Sequence, residues 1–253
     1  MISTASIVNM TISGIIIIAV ITGIIVYLNK KEAIDKKPII FGFICFILFS
    51  QMLERSINTV VISANVIKNQ ALLLVYAVLM AGIFEEVGRF VIYKKFLTKY
   101  RQWKDAVAFG VGHGGTEAVL IGVLSVINYI NISLMINSGE FNKLIGKSIP
   151  ADTASQIKTM LMAPSSTFLA IGFERVCTLA IQIALSILVL YCINNKKIQY
   201  LFLAIFLHAL IDVPAMLYQL KVITNLWLVE IILLILAVIA FLFIKKSKKL
   251  FTP

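Results

Sequence analysis

Two adjacent carboxylates and an arginine stand where charge is expensive. Glu85, Glu86 and Arg89 interrupt residues 71–93, an apolar run that otherwise reads as a membrane-spanning helix. Insertion scales put each charge at a bilayer centre at roughly 2.5–3.5 kcal/mol, so such residues are usually paired and usually functional. Arg89 follows Glu86 by three residues and Glu85 by four, on one helix face. It can hold one acid and leave the other for proton transfer. A structural buried ion pair is the plainer reading of these three residues alone.

The two histidines of the chain also lie in apolar runs. His113 sits in Phe109-Gly-Val-Gly-His-Gly-Gly-Thr-Glu117, and His208 in Phe206-Leu-His-Ala-Leu-Ile-Asp212. Each is followed four residues later by an acid, Glu117 and Asp212, on the same helix face. A neighbouring carboxylate fixes the tautomer and ring orientation of a buried imidazole. A further acid–base pair, Glu174 and Arg175, lies in another apolar run. With no Ser–His or Cys–His arrangement, two chemistries remain open. In one, a glutamate is the general base on a water, and the histidines orient it and stabilise the oxyanion. In the other, His and Glu hold a divalent metal that activates the water. The zinc signature HExxH is absent.

The elements that must position these groups follow from hydropathy. The chain has 253 residues, 60% of them hydrophobic, against about 45–50% in soluble domains. Apolar runs at 7–28, 38–64, 71–93, 105–130, 165–192, 198–219 and 222–244 predict an all-α, polytopic transmembrane helical bundle of seven spans. The length suits a single integral-membrane domain over 1–253, with the motifs between 71 and 219. The first run has no preceding cation and is followed by Lys30 and Lys31, unlike a cleavable signal peptide. Cys45, Cys177 and Cys192 have no metal-type spacing and imply no disulfide framework.

Charge asymmetry sets the expected topology. Fifteen lysines and arginines flank the spans on one side and five on the other, while Arg55, Arg89 and Arg175 lie inside spans. The richer side is expected to be cytoplasmic, which puts the N-terminus outside and the C-terminus inside. The net charge of +11 is then explained by membrane topology, and no nucleic-acid partner is implied. The long loop 131–164 should lie outside, with a short helix over 151–162 begun by Asp152 or Thr153 as cap.

At ~1.5 Å per residue, Glu85 and His113 lie ~12 Å from the basic ends of their spans, His208 ~15 Å and Asp212 ~21 Å. Glu174 lies ~15 Å from the other end of its span, near the middle of a ~30 Å core. Four spans thus bring polar residues to one layer, which ordinary packing has little reason to do. Gly110 and Gly114 form a small-xxx-small pair beside His113, suited to close helix approach or to plain helix packing. Glu54 and Arg55, nearer the outer side, read as structural or as support for the site.

Glu85-Glu86-x-x-Arg89, then Phe109-x-x-x-His113, then His208-x-x-x-Asp212 resemble the motif series of the CAAX-protease and bacteriocin-processing superfamily of intramembrane proteases. Gly-His-Gly-Gly-Thr-Glu around His113 and Gly172-Phe-Glu-Arg175 resemble more closely the YhfC family of intramembrane peptidases. The resemblance spans about 71–219. It implies a peptidase with Glu85 or Glu86 as base, Arg89 as its orienter, and His113 holding the nucleophilic water. His208 with Asp212 would form the oxyanion or metal-binding side. It leaves the cofactor as none or a divalent metal such as zinc, the metal ligands then being drawn from His113, His208, Glu85, Glu117 and Glu174. Asp212 stands where the motif commonly carries Asn, and it cannot donate a hydrogen bond unless protonated. Gln182, two turns after Glu174, stands where some relatives are expected to carry His.

The expected function is therefore an intramembrane endopeptidase in a bacterial plasma membrane, embedded in lipid and acting on a peptide or membrane-protein substrate. The alternatives are its metal-dependent version and an ion- or proton-coupled transporter, since intramembrane acids and histidines also build proton relays. No inverted repeat or broken helix pair of the transporter type is visible. A non-catalytic scaffold is the third reading, in which the polar layer serves helix packing alone.

Overall fold

The computed structural model describes residues 1–251, and among them there is no β-strand. Among the described residues, seven helices are long and apolar enough to cross a membrane. They are α1 (Thr4–Glu32), α2 (Lys36–Ser63), α3 (Gln70–Lys95), α4 (Trp103–Asn137), α6 (Thr167–Asn194), α7 (Gln199–Gln219) and α8 (Leu226–Ser247). A shorter α5 (Ala151–Leu161) precedes α6. Apolar side chains on α8 such as Ile231, Ile235, Val238 and Leu242 are about half exposed, as a lipid-facing surface requires.

Local chemistry starts and stops these helices. The Asp35 carboxylate accepts the Lys37 amide at the start of α2 (2.8 Å). Asn69 accepts the Ala71 and Leu72 amides at the start of α3 (2.9 and 3.1 Å), and Asn225 accepts that of Trp227 at the start of α8 (3.0 Å). Each satisfies amides the helix itself leaves unpaired. Two spans carry an extra residue per turn for a short distance: α2 is π-helical over Phe46–Glu54 and α4 over Ala118–Val123. The expected cap of the short helix is corrected: Pro150 occupies the cap position, and Asp152 lies in the first turn, where its charge complements the helix dipole. The helix before it also runs to Asn137, so the predicted loop beginning at 131 is shorter.

The chain forms two compact units. One comprises Met1–Thr22 with Ala118–Val176. Its core gathers Ile2, Met10, Val126, Leu161 and Phe168. Reciprocal bonds tie the Ile2 backbone to the Asn137 amide side chain (2.7 and 2.9 Å), and the Ser13 hydroxyl donates to the Phe168 carbonyl (2.6 Å). The other unit comprises Gly23–Glu117 with the described residues from Cys177 onward.

In that second unit, glycines set the helix spacing. Gly42 of α2 lies against the backbone at Phe109 and His113, and Gly112 of α4 against the backbone at Ile39. A Cβ at either would collide with main chain, which cannot swing aside. A Cβ at Gly82 of α3 would lie 2.7 Å from the Ile205 carbonyl and 3.5 Å from the His208 Cβ of α7. Gly110 and Gly114 face α6, at Ile183 and Gln182. These are the close approaches that small residues permit between membrane helices.

Candidate active site

Four helices of the second unit, α3, α4, α6 and α7, bring one side-chain network together. α3 supplies Glu85, Glu86 and Arg89, all buried. The Arg89 Nη1 donates to Glu86 Oε1 at 2.6 Å, and Nη2 to Glu85 Oε2 at 3.3 Å. The guanidinium therefore grips both acids, where the spacing suggested a hold on one. It also donates to the Gln182 Oε1 of α6.

The two glutamates differ in surroundings. Glu86 is fully buried, and its Oε1 also takes the Nδ1 of His208 at 2.6 Å. Glu85 keeps 6% of its surface accessible. Its Oε2 is the hub of the cluster, with His113 Nε2 at 2.9 Å, Gln182 Nε2 at 3.2 Å and His208 Nε2 at 3.9 Å. Two imidazoles thus converge on one carboxylate oxygen. His208 Nε2 also faces Asp212 Oδ2 at 3.6 Å, on the next turn of α7. His208 Nε2 therefore stands between two carboxylate oxygens, Glu85 Oε2 and Asp212 Oδ2.

The remaining candidates fall into place as follows. Glu117 accepts a hydrogen bond from Gln182 Nε2 (2.6 Å) and joins the network through that amide. Glu174 lies in the first unit, where its carboxylate is paired with Arg175. The contribution of α6 to the cluster is Gln182, which sequence reasoning noticed only as a departure from an expected histidine. It was detectable as a lone amide in the otherwise apolar run 179–185. Glu54 and Arg55 do not pair with each other in the contacts observed. Glu54 accepts from Asn58 (3.1 Å), whose Oδ1 accepts from the Tyr76 hydroxyl (2.9 Å), and Arg55 reaches Gln51.

The donor set matches a divalent metal in kind. His113 Nε2, His208 Nε2, Glu85 and Asp212 are donors a zinc-type ion accepts. The His208 Nδ1 is already bonded to Glu86, the outer carboxylate that typically orients a metal-binding imidazole. The residues fit such an ion in kind. Among the described residues, however, no three or more His, Cys, Asp or Glu side chains are already arranged around one point as ligands.

Comparison with known proteins agrees with this architecture. A family model described as YhfC intramembrane metalloprotease matches residues 14–233. A protein of Bacillus subtilis (strain 168), described as uncharacterized membrane protein YhfC, is 37% identical over 257 residues, covering 99% of this chain and 100% of the relative. No solved structure matches. With seven membrane-capable helices, this relative supports an integral bacterial membrane protein. The chain belongs to the YhfC intramembrane metalloprotease family.

Proposed function

We propose that this protein is an intramembrane endopeptidase in which Glu85 is the general base on the hydrolytic water. The observation that carries the reading is the convergence of His113 Nε2 and His208 Nε2 on the one Glu85 oxygen, at 2.9 and 3.9 Å, inside a buried network. Glu85 retains accessible surface and Glu86 none, which favours Glu85 as the group that meets water. Glu86 and Arg89 are positioning residues: Glu86 fixes the tautomer of His208, and Arg89 holds the two carboxylates in register.

In the reaction, Glu85 takes a proton from water as the oxygen bonds to the scissile carbonyl carbon. The Nε2–H of His113 stabilises the charge on the carbonyl oxygen, while His208, its Nδ1–H held by Glu86, offers the unprotonated Nε2 to the water. As the C–N bond breaks, the proton held by Glu85 passes to the leaving amine. The family description and the Glu86–His208 bond favour a metal-dependent form of the same reaction. There His113 and His208, with Glu85 or Asp212, would hold a divalent ion, which when bound polarises the carbonyl and acidifies water. Glu85 and Asp212 would then divide the roles of ligand and base.

The test is a comparison of new protein N-termini in membranes of cells carrying the wild type and Glu85→Gln at matched expression. Peptide ends that vanish in the variant establish proteolysis and name substrates. Identical ends, with both proteins stably inserted, would refute the peptidase reading and move attention to ion flux. Metal analysis of purified protein separates the two forms. About one zinc per chain, lost in His113→Ala, rejects the metal-free form.

A further inference from the structure

Away from the polar network, a cavity of about 250 Å³ opens in the second unit where α3 ends and α6 turns into α7. Its lining is Phe90 and Lys94 of α3, Cys192 and Ile193 of α6, and Lys196 and Ile198 of the α6–α7 turn. Two cations and an apolar wall therefore share one pocket. Neither Lys94 nor Lys196 has a carboxylate partner within ion-pair distance among the described residues. Lys94 is held to the pocket wall, with its ammonium 5.3 Å from the centre of the Phe90 ring. Lys196 has φ of 55°, in the left-handed region where a helix commonly ends on glycine. The α6–α7 turn thus presents a lysine at a backbone position glycine fills more easily.

We propose that this cavity is a phosphate-binding site that takes the headgroup of an anionic phospholipid. Two unpaired ammonium groups on separate helix ends supply the charge that a phosphate diester needs. The cavity holds about eight waters' worth of volume at ~30 Å³ each, more than a bare phosphate requires. Phe90, Ile193 and Ile198 offer an apolar surface to the glycerol and the first acyl carbons. Lysines at a membrane surface already gain about 1 kcal/mol each near anionic lipid; the cavity turns that general attraction into a defined site. Its position matters because α3, α6 and α7 carry Glu85, Gln182 and His208. A lipid phosphate held by Lys94 and Lys196 ties together the ends of three of the four helices that form the network, α3, α6 and α7. The proposal does not depend on what that network catalyses.

The experiment uses the full chain in nanodiscs and native mass spectrometry after detergent release. Phosphatidylglycerol should be retained at least tenfold over phosphatidylcholine by the wild type. Lys94→Gln/Lys196→Gln should lose that preference, and Lys94→Arg/Lys196→Arg should keep it. Equal retention of the two lipids by the wild type overturns the proposal, whether or not any variant folds. So does an unchanged preference in a well-folded Gln double variant. Inorganic phosphate at millimolar concentration is the second arm. If it displaces the lipid and itself raises the thermal midpoint as much as the lipid does, the site is one for free phosphate and the lipid assignment falls.

Discussion

Glu85 and Glu86 are neighbours in sequence, yet their substitutions should fail in different ways. Glu85→Gln keeps the volume and still accepts from His113, but it cannot take a proton. Cleavage should fall by about 10²–10⁴-fold, the usual range for a lost general base, while the protein accumulates normally. Glu86→Gln instead removes the negative charge that faces both Arg89 and His208 at 2.6 Å, in a site with no accessible surface. Leaving one partner of a buried ion pair alone costs on the order of 3–5 kcal/mol, so this variant should lose thermal stability as well as activity. Parallel measurement of the thermal midpoint and product formation distinguishes the two. If Glu86→Gln is as stable as the wild type and Glu85→Gln is not, the assignment is reversed. Residue spacing made much of this legible: an acid pair followed by Arg at three and four residues can meet only on one helix face. Gln182 was legible only as a lone amide in an apolar run, because a neutral side chain carries no charge signal that would point to a site. Spacing along its span predicts the same depth for Glu174, but depth is one coordinate of three, and its carboxylate is paired with Arg175.

At the scale of elements, glycine contacts and helix caps set the spacing that the chemistry needs. Gly112→Leu would drive a branched side chain into the Ile39 backbone, and the α2–α4 crossing could close only by separating. Overpacking of this kind costs about 1–3 kcal/mol where the structure can relax, and more against main chain. Since His113 follows Gly112 directly, activity should fall at temperatures where the variant is still inserted, whereas Gly23→Leu, with open space at its Cβ, should be silent. Outside the membrane spans, the Asp35 carboxylate accepts the Lys37 amide first and the Tyr100 hydroxyl second, and both hold it below the usual carboxylate range. A depressed carboxylate stabilises the fold above its ordinary pKa, and that contribution fades as pH falls through the lowered folded value. Asp35→Ala should therefore lower the thermal midpoint at neutral pH and bring no change in the most acidic buffers, as a midpoint series against pH would show. Hydropathy sufficed to locate the seven spans to within a few residues at most ends. It did not reveal the π-helical stretches in α2 and α4, since an inserted residue leaves an apolar run apolar.

For the whole molecule, the open question is which way it crosses the membrane, and charge answers it with a prediction. Seven spans are an odd number, so the ends of a fully inserted chain lie on opposite faces. Lys245 and Lys246 close α8, Lys248 and Lys249 follow it, and Lys94 and Lys95 close α3. These belong to the side that carries fifteen lysines and arginines against five. That bias predicts a cytoplasmic C-terminus. A fluorescent protein that matures only in the cytoplasm should then glow when fused after the last residue. Alkaline phosphatase, active only outside, should be inactive there and active at the N-terminus behind an export-neutral linker. The reverse pattern would overturn the orientation and move the Lys94–Lys196 cavity to the outer leaflet. Placed on the cytoplasmic face, the same cavity meets the leaflet surface where anionic headgroups attract basic segments most strongly. Occupancy of the site should then fall in cells depleted of anionic phospholipid, read as less phospholipid retained on the purified chain, while the preference for phosphatidylglycerol measured in nanodiscs stays the same.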